Sequence, residues 1–132
     1  MHQDIHWHSK YETGHPRIDF EHRVFLDLLA ELAAQVQAET DPARLRRTVT
    51  EIYKYADFHF FSEENIMLNV GYPEYEHHHT LHQALLHELR AFIESIALDS
   101  LRGEAMVEFL VRWFASHTAG EDLKLAVYVR GT

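Results

Sequence analysis

The chain contains no cysteine. Disulfide scaffolds, iron–sulfur clusters, thiolate zinc sites and cysteine nucleophiles are therefore excluded. Long apolar runs are also absent, because no stretch approaches the roughly 18 apolar residues of a membrane span. Residues 1–14 lack the apolar run of a signal peptide. We therefore expect a cytoplasmic protein that does not interact with membranes.

Basic side chains are scarce. The sequence has 12 Lys and Arg against 21 Asp and Glu, a net charge of −9, which argues against nucleic acid or an anionic membrane surface as the main partner. Histidine is the exception, since its count of 12 equals that of Lys and Arg together. The length of 132 residues, with 46% hydrophobic residues, predicts one domain whose core needs no covalent cross-link.

Glycine and proline are also few, five and three, and they divide the chain into segments with apolar residues at helical spacing. Asp41-Pro42 is a helix-start signal, and Asp19 is a candidate cap for the first helix. The predicted fold is all-α, an up-down-up-down antiparallel four-helix bundle. The predicted parts are a non-helical N-terminal arm at 1–18, helices at about 19–38, 42–69, 74–98 and 101–119, and a C-terminal segment at 120–132.

Polar residues interrupt the apolar stripes of these helices. Burying an imidazole or a carboxylate without a partner costs a few kcal/mol, so these side chains must be satisfied together. Two pairs are four residues apart and share a helix face, His59 with Glu63 and His78 with His82. The polar residues on the core phase are His22, His59, Glu63, His78, His82 and His117.

Asp122 follows His117 by five residues, roughly 140° out of phase on a continuous α-helix. We expect Gly120 to end the helix and let Asp122 turn back toward the bundle axis. Five histidines and two carboxylates are too many ligands for one four-coordinate zinc ion. The set predicts two metal ions bridged by both carboxylates, with one coordination position left open. Nitrogen and oxygen ligands without thiolate favour iron over manganese or zinc.

The same residues resemble the bacterial hemerythrins, whose domains bind dioxygen at a non-heme di-iron centre. The resemblance covers nearly the whole chain, 1–132. It implies two iron ions with a bridging oxo or hydroxo group. His78, His82 and His117 would hold the six-coordinate iron, and His22 and His59 the five-coordinate iron where dioxygen binds. Glu63 and Asp122 would bridge the two ions. The matching motifs are Trp7, Tyr11 and Gly14, then Ile18-Asp19-x-x-His22, His59-Phe60-x-x-Glu63-Glu64-x-x-Met67, Gly71-Tyr72-Pro73, His78-x-x-x-His82 and Trp113-x-x-x-His117-x-x-x-x-Asp122.

The chain departs from the family at the oxygen pocket. The family usually has a leucine three residues before the histidine of the fourth helix, where this chain has Phe114. The larger ring is expected to narrow the pocket. Thr118 follows His117, where an aliphatic residue is commoner, so a hydroxyl is expected near the site.

Other metal sites fit the sequence less well. A heme site would not use the two carboxylates, whose predicted role is to bridge two metal ions. A ferritin-like site needs Glu-x-x-His on two helices, whereas the three such motifs lie in the arm or at one helix start. We expect Glu64 and the other seven histidines on the arm or the surface. The aromatics expected in the core or pocket wall are Phe60, Phe61, Phe92, Phe109 and Trp113.

Two functions remain open at this point. One is a non-enzymatic oxygen-binding module, acting as a carrier or as the oxygen- or redox-sensing domain of a signalling protein with a fused or separate output domain. The other is a di-iron oxidase, peroxidase or nitric oxide reductase, for which nitric oxide or peroxide is the ligand. The apolar faces of the predicted helices contain no further carboxylate that could deliver protons in the pocket. This absence favours the oxygen-binding module over the enzyme. This interpretation would be weaker if the side chain of Thr118, Tyr53 or Tyr55 reached the pocket.

Overall fold

The computed structural model describes residues 5–97 and 103–131. Within these ranges the regular structure is entirely helical. Residue 98 of the predicted third helix, residues 101–102 of the fourth and residues 1–4 of the arm lie outside the described residues. The helices are α1 (Pro16–Gln37), α2 (Pro42–Val70), α3 (Tyr75–Ala97), α4 (Gly103–His117) and α5 (Leu123–Arg130), with a 3-10 turn at Ser9–Tyr11 and a π-helical turn at Thr118–Asp122.

Helix α1 begins at Pro16, three residues before the predicted start. The N-cap is His15, whose Nδ1 accepts a hydrogen bond from the Ile18 amide at 3.3 Å. The prediction that Asp19 is the cap is therefore wrong. Its carboxylate instead accepts from the Thr13 amide and hydroxyl at 2.9 and 2.7 Å. Asp19 thus links Thr13, in the preceding segment, to the first turn of α1 by hydrogen bonds.

Helix α2 begins as the sequence predicts. The Asp41 side chain accepts from the Arg44 amide at 3.0 Å, and Pro42 occupies the first helical position. The helix closes at Gly71, whose φ of 64° is left-handed, a conformation that glycine adopts without a Cβ clash.

The prediction that the fourth helix ends at Gly120 is wrong. The chain continues from α4 through the π-helical turn Thr118–Asp122 into α5. Such a turn widens the helix so that hydrogen bonds join residues five apart. His117 and Asp122 therefore reach the same side of the helix without a break in the chain. The predicted C-terminal segment is accordingly helical over most of its length.

Helix α1 packs against α2 and α4, and α2 packs against α3. The main core lies between these helices, and a smaller cluster of Ile18, Met67, Tyr72 and Leu125 joins the start of α1 to α5. The prediction that Phe61 and Phe109 lie in the core or pocket wall is wrong. Both are at the surface, 66% and 37% exposed. None of the helices in the described ranges has the length and apolarity to cross a membrane.

Candidate metal centre

The seven side chains singled out from the sequence are all buried, none more than 6% exposed, and the fold brings them together. They come from four helices and the π-helical turn. Two polar residues of α2 meet two histidines of α3, while α1 and α4 each contribute one histidine. The contributions are His22 from α1, His59 and Glu63 from α2, His78 and His82 from α3, His117 from α4 and Asp122 from the turn.

Three histidines form one half of the cluster. The Nε2 atom of His78 lies 2.9 Å from Glu63 Oε1 and 3.0 Å from Asp122 Oδ1. The His82 Nε2 atom is 3.0 Å from Glu63 Oε1, and the His117 Nε2 atom is 3.1 Å from Asp122 Oδ1. All three imidazoles thus turn the same ring nitrogen toward the same two carboxylate oxygens.

Two histidines form the other half. His22 Nε2 is 2.9 Å from Asp122 Oδ2, and His59 Nε2 is 3.8 Å from Glu63 Oε2. These are the second oxygens of the same two carboxylates. Glu63 and Asp122 therefore each present one oxygen to the three-histidine half and the other to the two-histidine half.

The atoms of this cluster fit a cation better than they fit one another. In each half the candidate ligand atoms lie within 4.8 Å of one another. Among the described atoms, both Glu63 oxygens and His82 Nε2 are buried without a hydrogen-bond partner. Leaving such groups unsatisfied costs about 1–3 kcal/mol each, and more for charges. A metal ion in each half would satisfy all of them.

The charges of the cluster lead to the same conclusion. Burial and the neighbouring Asp122 carboxylate would raise the pKa of Glu63, but the close imidazoles of His78 and His82 outweigh them and lower the pKa. Burial would likewise raise the pKa of Asp122, yet the adjacent His117 lowers it. Burial lowers the pKa of His78, but Asp122 and Glu63 reverse the effect and raise it. Two buried carboxylates thus remain ionised, and protonated imidazoles or a bound cation would balance their charge.

Aromatic rings hold two of the imidazoles in place. Phe60 stacks on His82 with ring centroids 3.9 Å apart and an interplanar angle of 2°. Trp113 stacks on His117 at 4.4 Å and 12°. These contacts restrict the rotation of the imidazoles and keep water from their faces, which favours fixed ligand geometry.

Two glutamates contact the cluster from outside, and sequence reasoning missed both. Glu21 Oε1 accepts from His59 Nδ1 at 2.7 Å, and Glu64 Oε2 accepts from His82 Nδ1 at 2.8 Å. The prediction of Glu64 as a surface residue is wrong, because its side chain is only 12% exposed. The residue lies off the core phase, but its long side chain reaches across to α3. The available signal was adjacency, since each glutamate is next to a predicted ligand.

A small cavity of about 10 Å³ adjoins the cluster, at the lower limit of the space that one water needs. Phe114 is 2% exposed and packs its ring on His22, Phe25 and Tyr11 at centroid distances of 5.7, 5.7 and 5.1 Å. Thr118 also lines the cavity, as expected, whereas neither Tyr53 nor Tyr55 does. The lining residues are His22, Phe25, His59, Phe60, Trp113, Phe114, His117, Thr118 and Asp122.

The other histidines of the described residues are not among the candidate ligands. His15 caps α1, and His6 and His8 pack their rings together in the arm. The His77 side chain is 56% exposed and that of His79 38%, although His79 Nδ1 donates to Glu64. His2 falls outside the described residues. Over residues 5–97 and 103–131, the groups that could hold a metal are the two halves described above, so none of the Glu-x-x-His motifs contributes one.

Comparison with known proteins assigns the chain to a family. The sequence model of the Hemerythrin HHE cation binding domain matches residues 13–129. A bacteriohemerythrin of Clostridium acetobutylicum is 26% identical over 121 residues, which cover 88% of this chain and 94% of that protein. Another from Stenotrophomonas maltophilia is 28% identical over 131 residues, 94% of this chain and 80% of the relative. With most of its length matched, the chain belongs to the hemerythrin HHE cation-binding family.

Proposed function

We propose that the cluster is a di-iron centre that binds dioxygen reversibly. The observation that carries the proposal is the division of each carboxylate between two groups of histidines. In this assignment Glu63 and Asp122 would serve both ions, beside an oxo or hydroxo group. His78, His82 and His117 would hold one iron, and His22 and His59 would hold the other.

Iron is the metal that best suits this donor set. Imidazole and carboxylate without thiolate are typical ligands of non-heme iron, and the family is named for cation binding. When bound, two iron ions supply the electrons that reversible dioxygen binding requires. The half with two histidines has one nitrogen ligand fewer, and both of its histidines line the cavity, whereas His117 is the one histidine of the other half that does so. We therefore assign the open position to the two-histidine half.

The surrounding side chains would control access and polarity at that position. Phe25, Phe60, Phe114 and Trp113 line the cavity and exclude bulk water. A dry pocket protects the iron ions from side reactions with solvent. Apart from the assigned ligands, the lining carries the Thr118 hydroxyl and the Trp113 indole N–H. The presence of Thr118 weakens the case for binding in one respect, because its hydroxyl lies in the pocket. Neither group is an acid or base of the strength that proton delivery requires, so we favour binding over oxidase or peroxidase chemistry.

We infer that the helices follow an up-down-up-down path and that the chain before Pro16 forms an arm. Contact of Tyr11 with Phe114 supports this role, because it brings the arm against the pocket wall. A domain of this kind can serve as an oxygen carrier or as the sensing domain of a signalling protein.

The optical spectrum of the reduced, iron-loaded protein tests the proposal. We expect a visible absorption band to appear on exposure to air and to disappear on degassing, over repeated cycles. The reason is that a binding site with no acid or base in its pocket wall releases dioxygen unchanged. A parallel sample loaded with zinc should remain colourless.

Other outcomes would contradict the proposal. Immediate, irreversible oxidation with steady consumption of reductant would indicate an oxidase or a redox sensor. Purification with zinc in place of iron, without colour, would reject both oxygen binding and redox chemistry at this site.

A further inference from the structure

We propose that Glu21 and Glu64 are positioning residues that fix the ring orientation and tautomer of His59 and His82, so that each half of the centre contains one histidine backed by a carboxylate. The inference rests on the proposed function, because the two imidazoles are taken as iron ligands. Neither glutamate belongs to the two groups of candidate ligands.

Glu21 is held at both of its carboxylate oxygens. Oε1 accepts from His59 Nδ1 at 2.7 Å, while Oε2 accepts from Ser62 Oγ at 3.1 Å and Arg17 Nε at 3.2 Å. Its side chain is 7% exposed. The backbone carbonyl of the same residue accepts from the Tyr55 hydroxyl at 2.8 Å. With these anchors, the carboxylate has little freedom to move away from His59.

Glu64 has the same arrangement in the other half of the cluster. Oε2 accepts from His82 Nδ1 at 2.8 Å, and Oε1 accepts from His79 Nδ1 at 3.0 Å. Glu21 joins α1 to α2, whereas Glu64 joins α2 to α3. Each glutamate therefore uses one oxygen for a candidate ligand and the other for an anchor.

These contacts determine the tautomer of the two imidazoles. Each of these Nδ1 atoms lies within hydrogen-bond distance of a carboxylate oxygen, at 2.7 Å for His59 and 2.8 Å for His82. An ionised carboxylate only accepts hydrogen bonds. The Nδ1 atoms of His59 and His82 therefore carry the proton, and their Nε2 lone pairs face the centre.

This backing is selective. In the described part of the structure, the Nδ1 atoms of His22 and His78 are buried without a hydrogen-bond partner. Their halves of the cluster also contain His59 and His82, so each half has one histidine backed by a glutamate and one, His22 or His78, whose Nδ1 has no such partner. The carboxylate makes its imidazole a stronger donor, which favours the ferric over the ferrous ion.

The experiment compares Glu21→Gln and Glu64→Gln with the exposed, same-helix controls Glu31→Gln and Glu51→Gln. All four substitutions remove one negative charge. We expect iron affinity, measured by competition with a chelator, to fall about 10–100-fold in the first pair. We also expect the midpoint reduction potential of the centre to rise in that pair, with both quantities unchanged in the controls.

Thermal unfolding with and without iron separates positioning from a purely structural role. A positioning role predicts that the increase in melting temperature on iron loading becomes smaller in Glu21→Gln and Glu64→Gln. Equal destabilisation of both forms, with affinity and potential at control values, would overturn the inference while leaving the proposed function intact. Absence of iron binding by the unsubstituted chain would overturn the proposed function and this inference together.

Discussion

Replacing Glu63 by alanine is expected to abolish binding of both iron ions. Glu63 offers Oε1 to the three-histidine half and Oε2 to the two-histidine half, at 2.9–3.0 and 3.8 Å from the nearest imidazole nitrogens. Its removal therefore takes one ligand from each half at once. Loss of a histidine such as His82 affects one half directly, so Glu63→Ala should have the larger effect. Iron per chain, measured by elemental analysis after reconstitution, checks this expectation.

The same substitution should lower stability through the lost ligand. Iron at about 100 times its dissociation constant stabilises a folded chain by about 2.7 kcal/mol, and Glu63→Ala forfeits that contribution. The isosteric Glu63→Gln keeps the packing and separates ligand loss from cavity formation. Glu51→Ala, an exposed residue of the same helix, is the control and should retain both ions. Retention of two ions by both Glu63 variants would show that this carboxylate is not a bridge.

Replacing Phe114 by leucine is expected to speed dioxygen release and exchange. The ring is buried against His22, Phe25 and Tyr11, and the cavity beside it is only about 10 Å³. A ligand must displace this packing to enter or leave. Leucine is smaller and more easily displaced, so we expect release to become faster by about tenfold, a barrier lower by about 1.4 kcal/mol. Stopped-flow absorbance after mixing with an oxygen scavenger measures the rate.

Autoxidation should also change in Phe114→Leu, because a looser pocket admits water more readily. Phe109→Leu is the matched control, since Phe109 lies on the same helix, is 37% exposed and does not line the cavity. It should leave release and autoxidation unchanged. Identical kinetics in Phe114→Leu and the unsubstituted chain would mean that this ring does not limit ligand exchange.

The sequence predicted the cluster well because helical phase is a local property. An i,i+4 pair such as His78 and His82 shares a face wherever the helix is placed, and burial of that face follows from the neighbouring leucines. The Asp41-Pro42 start of α2 was predictable for the same reason, since a cap acts within one turn.

The features that were missed depend on geometry that spacing does not encode. Asp122 reaches the cluster through a π-helical turn, but a change of helix type has no fixed residue signature, and Gly120 suggested a break. Glu64 lies off the core phase of α2, and its long side chain crosses to His82 on α3. Glu21 likewise acts across a helix pair. Contacts of this kind depend on how the helices are positioned relative to one another.

A crystal of the iron-loaded protein, measured on both sides of the iron absorption edge, tests the central claim most directly. If the cluster is a di-iron centre, two anomalous peaks appear in one site, one beside His78, His82 and His117 and the other beside His22 and His59, with Glu63 and Asp122 between them. A single peak, or peaks elsewhere in the bundle, would contradict it.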